Sequence, residues 1–214
     1  MIDIANLSKQ YQTRQGSVTV LDDINFSIGP GEKVGILGSN GAGKSTLIRL
    51  IGGVEQPTAG YIDRRMSVSW PLAFGGGFQN RLSGLDNLKF ICRVYGTPIE
   101  DKIAFVEDFA ELGRYFREPL ENYSSGMNAR LAFAISMVID FDCFLIDEVV
   151  AVGDSRFQQK CHDELFVKRK DRAMIFVSHN DHYIKEHCQR AAVLQKGKLH
   201  QFDDVDTALQ FYHQ

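Results

Sequence analysis

Charge of one sign is what this sequence lacks: 24 Lys and Arg stand against 27 Asp and Glu, a formal net charge of -3 over 214 residues. No global field draws in nucleic acid or anionic lipid, and no nucleic-acid partner is expected. Cysteine is sparse as well. Cys92, Cys143, Cys161 and Cys188 lie far apart with no CxxC pair, which points away from a disulfide framework or a zinc site and fits reduced thiols in a cytosolic protein. An unbroken apolar span is also missing. The most apolar stretch, 131–152, is interrupted by Asp140, Asp142, Asp147 and Glu148, whereas a membrane-crossing helix needs about 20 apolar residues; any membrane role is expected to be peripheral. The first residues, Met1-Ile2-Asp3-Ile4, carry an early acid in place of a basic, apolar leader, so no signal peptide is expected. Internal repeats, long linkers and charge blocks beyond Lys168-Arg169-Lys170 are absent from the sequence.

What is present is ordinary globular composition. Hydrophobic residues at 44% and charged residues at 24% are enough to bury a core, which excludes a disordered or low-complexity chain. Apolar alternation in 2–7, 18–21 and 24–28 predicts strands of a half-exposed antiparallel layer. Lys33-Val34-Gly35-Ile36-Leu37 then reads as a buried strand, and 44–51 as a helix stopped by Gly52-Gly53. Short strands are predicted at 60–62 and 67–70, followed by the permissive Gly75-Gly76-Gly77 run. Helical spacing dominates 85–95, 99–112 and 129–139. Two continuous apolar runs, 143–146 and 174–177, flank a helical stretch over 155–172, the pattern of parallel strands joined by a crossover helix. A last helix is expected over 205–212.

Chemistry concentrates after the first buried strand. Gly38-Ser39-Asn40-Gly41-Ala42-Gly43-Lys44-Ser45-Thr46 matches GxxxxGK[ST] between a strand and a helix. Glycines let backbone N–H groups converge on phosphate oxygens, and the helix N-terminus adds positive potential. Lys44 would reach the β- and γ-phosphates, and the Ser45 hydroxyl would ligate Mg²⁺. Cys143-Phe144-Leu145-Ile146-Asp147-Glu148 places Asp147 at the carboxyl end of a central strand, where it would hold the Mg²⁺ shell. Glu148 is then the group to accept a proton from an attacking water. The fold these features predict is α/β, with a RecA-like P-loop core.

These motifs resemble the ABC-type ATPases, and further family motifs follow in order. The signature stands as Tyr123-Ser124-Ser125-Gly126-Met127, with Ser125 and Met127 departing from the family's glycine and glutamine. The resemblance implies that Ser124 and Gly126 contact a γ-phosphate; a serine before a helix is also an ordinary N-cap. It likewise implies that Gln79 senses Mg²⁺ and water, that His179 is the switch histidine, and that Tyr11 stacks on adenine, although a strand-end tyrosine also packs on a core. Asp154 matches the acid of the loop after the catalytic carboxylate. By this resemblance the chain is one nucleotide-binding domain over 1–214, with its core at about 1–79 and 141–214 and an inserted helical subdomain at about 80–140.

Ala151-Val152-Gly153-Asp154 and Phe157 narrow the resemblance to the ATP-binding subunits of capsular-polysaccharide exporters, and the compact length agrees. The implied cofactors are ATP and Mg²⁺. The implied partners are a second copy that completes an ATP sandwich and a polytopic membrane permease subunit, which handles most of the polysaccharide. A groove beside Gln79, near 81–88 and Phe90, is the expected permease contact, with the glycine run giving Gln79 room to move. The implied place is the cytoplasmic face of a bacterial inner membrane. The rival readings are the ATPase of O-antigen or teichoic acid export and a soluble P-loop ATPase or kinase.

Overall fold

The structure, a computed structural model, describes residues 1–14, 16–72, 77–147, 153–178 and 181–214. It divides into two compact units, one of Met1–Pro71, Phe141–Glu148 and Asp171–Gln214, the other of Leu72–Asp140 and Val149–Lys170.

The first unit carries two sheets. Strands β1 (Ile2–Thr13), β2 (Gly16–Ile28) and β4 (Ala59–Arg64) form an antiparallel layer in the order β2-β1-β4. The two strands predicted at 18–21 and 24–28 are one continuous strand, because Asn6 and Asp23 absorb the irregular register in left-handed conformations (φ 49° and 55°). Asn and Asp tolerate that region, and the Asn6 side-chain amide donates to Asp23 Oδ1 at 2.9 Å across the kink.

The second sheet runs β5-β6-β7-β3-β8-β9, from β3 (Lys33–Leu37), β5 (Val68–Pro71), β6 (Cys143–Asp147), β7 (Ala173–Val177), β8 (Arg190–Gln195) and β9 (Lys198–Phe202). It is parallel except at β9. Val34, Ile36, Leu145, Ile175 and Val177 are buried, as strands covered on both faces require. Helices α1 (Lys44–Ile51), α6 (Asp181–His187) and α7 (Val205–Tyr212) complete this unit. The register places Ile36 and Asp147 both opposite Val177, so β3 and β6 end at one level of the sheet. Their carboxyl ends are where a ligand is received in an open parallel sheet.

The second unit is helical: α2 (Gly84–Val94), α3 (Glu100–Ala110), α4 (Ser125–Ser136) and α5 (Ser155–His162). Phe109 joins three of these helices, its ring 5.7 Å from Phe133 and 5.4 Å from Phe157. Two sequence expectations are corrected here. Helix α4 begins at Ser125 rather than Ala129, because Ser124 caps it by accepting from the Met127 N–H. The helix expected over 155–172 ends at His162 and passes into one π-type turn, Asp163–Val167, closed by Lys168 N–H donating to Asp163 O at 3.0 Å. Buried Glu164 draws Lys168 and Arg169 back onto itself at 2.6 Å each, and Arg169 also donates to Met137 O at the end of α4. Strands β8 and β9 and helix α6 were not predicted. Among the described residues, no helix is long and apolar enough to cross a membrane.

Burial pushes the thiols of Cys143, Cys161 and Cys188 up to about 12, and that of Cys92 upward as well. The native protein at pH 8 should therefore react slowly at all four cysteines with an aromatic disulfide reagent, and rapidly once guanidinium unfolds it. A thiol that reacts at once in the folded state would contradict this packing.

Candidate functional site

The turn from β3 into α1 is built by glycines in conformations closed to other residues. Gly38 has φ 159° and a Cβ there would lie 2.7 Å from Leu194 O; Gly43, the N-cap of α1, has φ 107° and a Cβ there would meet Val20 Cγ1 at 2.9 Å. Lys44 is buried, and its ammonium donates to Gly38 O at 2.6 Å and Ser39 O at 3.1 Å. The lysine thus cross-braces its own loop while holding a positive charge at the helix N-terminus.

A cavity of about 350 Å³ opens here, lined by Val20, Asn40, Gly41, Gly43, Lys44, Ser45, Thr46 and Asp147. Lysine, helix-terminal amides and left-handed glycines make it an anion site. Ser45 and Asp147, from different elements, bring a hydroxyl and a carboxylate to the same space, the hard oxygen donors Mg²⁺ prefers. The donor set fits a polyphosphate with a divalent metal. Gly38, Ser39 and Ala42 shape the loop without lining the cavity; the Ala42 N–H donates to Ser39 O at 3.1 Å. Val20, which does line it, was not singled out from sequence.

Tyr11 lies outside that lining. Near the end of β1, its hydroxyl donates to Glu55 Oε2 at 2.6 Å, and the Lys9 ammonium sits 5.1 Å from its ring centroid.

In the helical unit a second cavity, of about 250 Å³, is lined by Glu111, Ser124, Gly126, Met127, Arg130, Gly153, Asp154 and Phe157. Two helix N-termini open onto it. Ser124 caps α4, and Asp154 caps α5 by accepting from Phe157 N–H at 2.9 Å. A Cβ on Gly126 would meet only Ser124 Oγ, at 3.9 Å, so packing within the unit does not call for glycine there. Arg130, 5.9 Å from the Phe157 ring, adds a cation. Glu111, held below the ordinary carboxylate range by Lys160, ties the end of α3 to α5 at 2.5 Å.

Gln79 is exposed, but its backbone is pinned: its N–H donates to Asn87 Oδ1 at 2.8 Å, and Asn87 Nδ2 donates back to Gln79 O at 3.2 Å. Buried Asn87 was not singled out from sequence; an asparagine at helical core spacing is the signal that could have found it. Glu148, His179, Gly75 and Gly76 lie outside the described residues.

Three comparisons bear on these cavities. Residues 21–151 match the family model described as ABC transporter. The chain is 60% identical, over 100% of its length and 99% of the relative's, to the capsule polysaccharide export ATP-binding protein CtrD of Neisseria meningitidis serogroup B. It is 57% identical, over 100% and 99%, to the ATP-binding protein BexA of Haemophilus influenzae. Its fold resembles a dimeric, post-hydrolysis structure of the ATP-binding cassette MJ0796 bound to ADP and Pi, with a TM-score of 0.79 at 20% identity, covering 95% of this chain and 98% of that one.

The open space at Gly126 yields a discriminating substitution. Gly126→Ala should leave thermal stability unchanged or slightly raised, since the added methyl would meet only Ser124 Oγ, at an ordinary 3.9 Å. If the second cavity receives a phosphate, the same methyl should lower ATP turnover about ten-fold or more by displacing the reacting groups. Normal turnover in a stable Gly126→Ala protein would remove the phosphate role of this glycine.

Proposed function

The chain belongs to the ABC transporter family, and from that premise we propose that it is the ATP-hydrolysing subunit of a capsular-polysaccharide exporter. The observation that carries the ATPase reading is the cavity where Lys44, Ser45 and Asp147 converge at the ends of β3 and β6. The cargo reading is supported by 60% identity along the entire chain to a protein named for capsule polysaccharide export.

In this reading Lys44 and the amides of 41–46 bind the phosphates, and Ser45, Asp147 and Gln79 would hold Mg²⁺, which supplies neutralisation of the phosphate charge when bound. Tyr11 carries adenine. Glu148 orients the attacking water and takes its proton, and His179 stabilises the γ-phosphate. The cavity at Ser124 and Gly126 takes the nucleotide of a second copy, so that two chains sandwich two ATPs. A membrane permease subunit carries the polysaccharide, and this chain sits on the cytoplasmic face of the bacterial inner membrane as a peripheral subunit. The exposed Leu82, Phe90 and Val94, on and before α2, offer the permease an apolar face close in sequence to Gln79.

The test has a cellular and a purified arm. Expression in a bacterium lacking its capsule-export ATPase should restore surface capsule, whereas Lys44→Ala should not; failure of the unmodified, expressed protein in its own permease background would count against the cargo. In purified form, Glu148→Gln should bind ATP normally, lose about 10²-fold or more of turnover as a missing general base does, and accumulate as a dimer with ATP. Near-normal turnover in Glu148→Gln would defeat the general-base assignment.

A further inference from the structure

Tyr11 is the end of a charged network that reaches the phosphate loop. Its hydroxyl donates to one oxygen of the Glu55 carboxylate at 2.6 Å, and the other oxygen accepts from Arg49 Nε at 2.5 Å. Arg49, in the last turn of α1, also donates from Nη2 to Thr46 Oγ1 at 3.3 Å, and Thr46 lines the phosphate cavity. Lys9 completes the cluster, 3.4 Å from Glu55, bonded to Gln56 O at 2.8 Å and lying over the Tyr11 ring.

The Glu55 turn is fixed from below. Its N–H and that of Val54 both donate to Arg49 O, at 3.3 and 2.9 Å. One carboxylate therefore gathers a phenol, a guanidinium and an ammonium around the C-terminus of the helix whose N-terminus holds Lys44. The phenol's hydrogen bond, aided by Arg49, keeps Glu55 below its ordinary range and ionised at neutral pH. An isolated surface ion pair contributes little to stability, but a carboxylate that anchors a phenol removes the ring's freedom before any ligand arrives. With a cation on one face, the ring has only the other to offer a purine.

We propose that Glu55 is a positioning residue for the nucleotide base: by holding the Tyr11 hydroxyl, and being held by Arg49, it sets the aromatic ring at a fixed place relative to the phosphate loop. Base and triphosphate are then gripped by one rigid piece. This rests on the reading of Tyr11 as the adenine-stacking residue.

The probes are ATP and ribose 5′-triphosphate, which lacks only the base, measured by competition with a fluorescent nucleotide in the cold without free metal. Tyr11→Ala should weaken ATP about ten-fold, the scale of one base–aromatic stack. Tyr11→Phe keeps the ring but not the donor, and Glu55→Gln removes the charge that anchors it. Each should weaken ATP about three-fold through lost preorganisation, and the double variant should lose no more than either alone, since both cut one link. Ribose 5′-triphosphate should bind all of them as it binds the unmodified protein, a split that a merely structural role would not produce. Unchanged ATP affinity in Tyr11→Phe and Glu55→Gln, with Tyr11→Ala weakened, would overturn the positioning role while leaving the base contact standing. Normal ATP affinity in Tyr11→Ala would remove the base contact and the proposal with it. Equal losses for both probes in Glu55→Gln would place its effect on the phosphate loop through Arg49 and overturn the proposal.

Discussion

A glycine-built loop held between a buried strand and a helix N-terminus is the constraint on which the rest of this structure depends. Such a loop needs left-handed residues, and the chain supplies glycine at 38, 41 and 43. It needs a rigid strand before it and a helix N-terminus after it, and β3 and α1 provide both. It also needs a way to stand open without collapsing. Lys44 supplies that by donating to Gly38 O and Ser39 O, so its ammonium cross-braces the loop's own carbonyls. The parallel sheet follows from this: β6 and β7 run alongside β3, and the shared level of Ile36 and Asp147 opposite Val177 delivers the carboxylate to the cavity that Ser45 also lines.

The helical unit applies the same physics a second time. Ser124 and Asp154 each cap a helix whose N-terminus opens on one cavity, so two sets of helix-terminal amides and Arg130 surround a space with room for an anion. The unit itself has no use for a glycine at 126. In the proposed reading the room at Gly126 is where the γ-phosphate held by another copy approaches.

Much of the site could be read from the sequence because its chemistry is local. The spacing of Gly38 to Thr46 marks the loop, the apolar spacing of 44–51 with its Gly52-Gly53 stop marks α1 at its observed bounds, and α7 is predicted over the residues it occupies. What escaped was set by contacts distant in sequence. Strand β8 is diluted by Ala191 and Ala192, and β9 has Leu199 and Phe202 three apart, without strand alternation; the signal for that hairpin was the Lys196-Gly197 turn, both residues at positive φ. The end of α5 is decided by contacts such as Glu164 gathering Lys168 and Arg169, which the apolar spacing of 155–172 does not register. The Tyr11 anchor joins residues 44 positions apart and has no sequence pattern of its own.

The central claim is that the Lys44 cavity of one copy and the Ser124 cavity of another form one nucleotide site. It is tested most directly by mixing two defective proteins, Lys44→Ala and Ser124→Arg, and measuring ATP-dependent association. Neither variant alone can build an intact pair, because each of its sites lacks either the lysine or an approachable signature. The mixed dimer contains one site with both. The account predicts ATP-dependent dimers in the mixture and in the unmodified protein but in neither parent; a mixture that stays monomeric with ATP, while the unmodified protein dimerises, would contradict it.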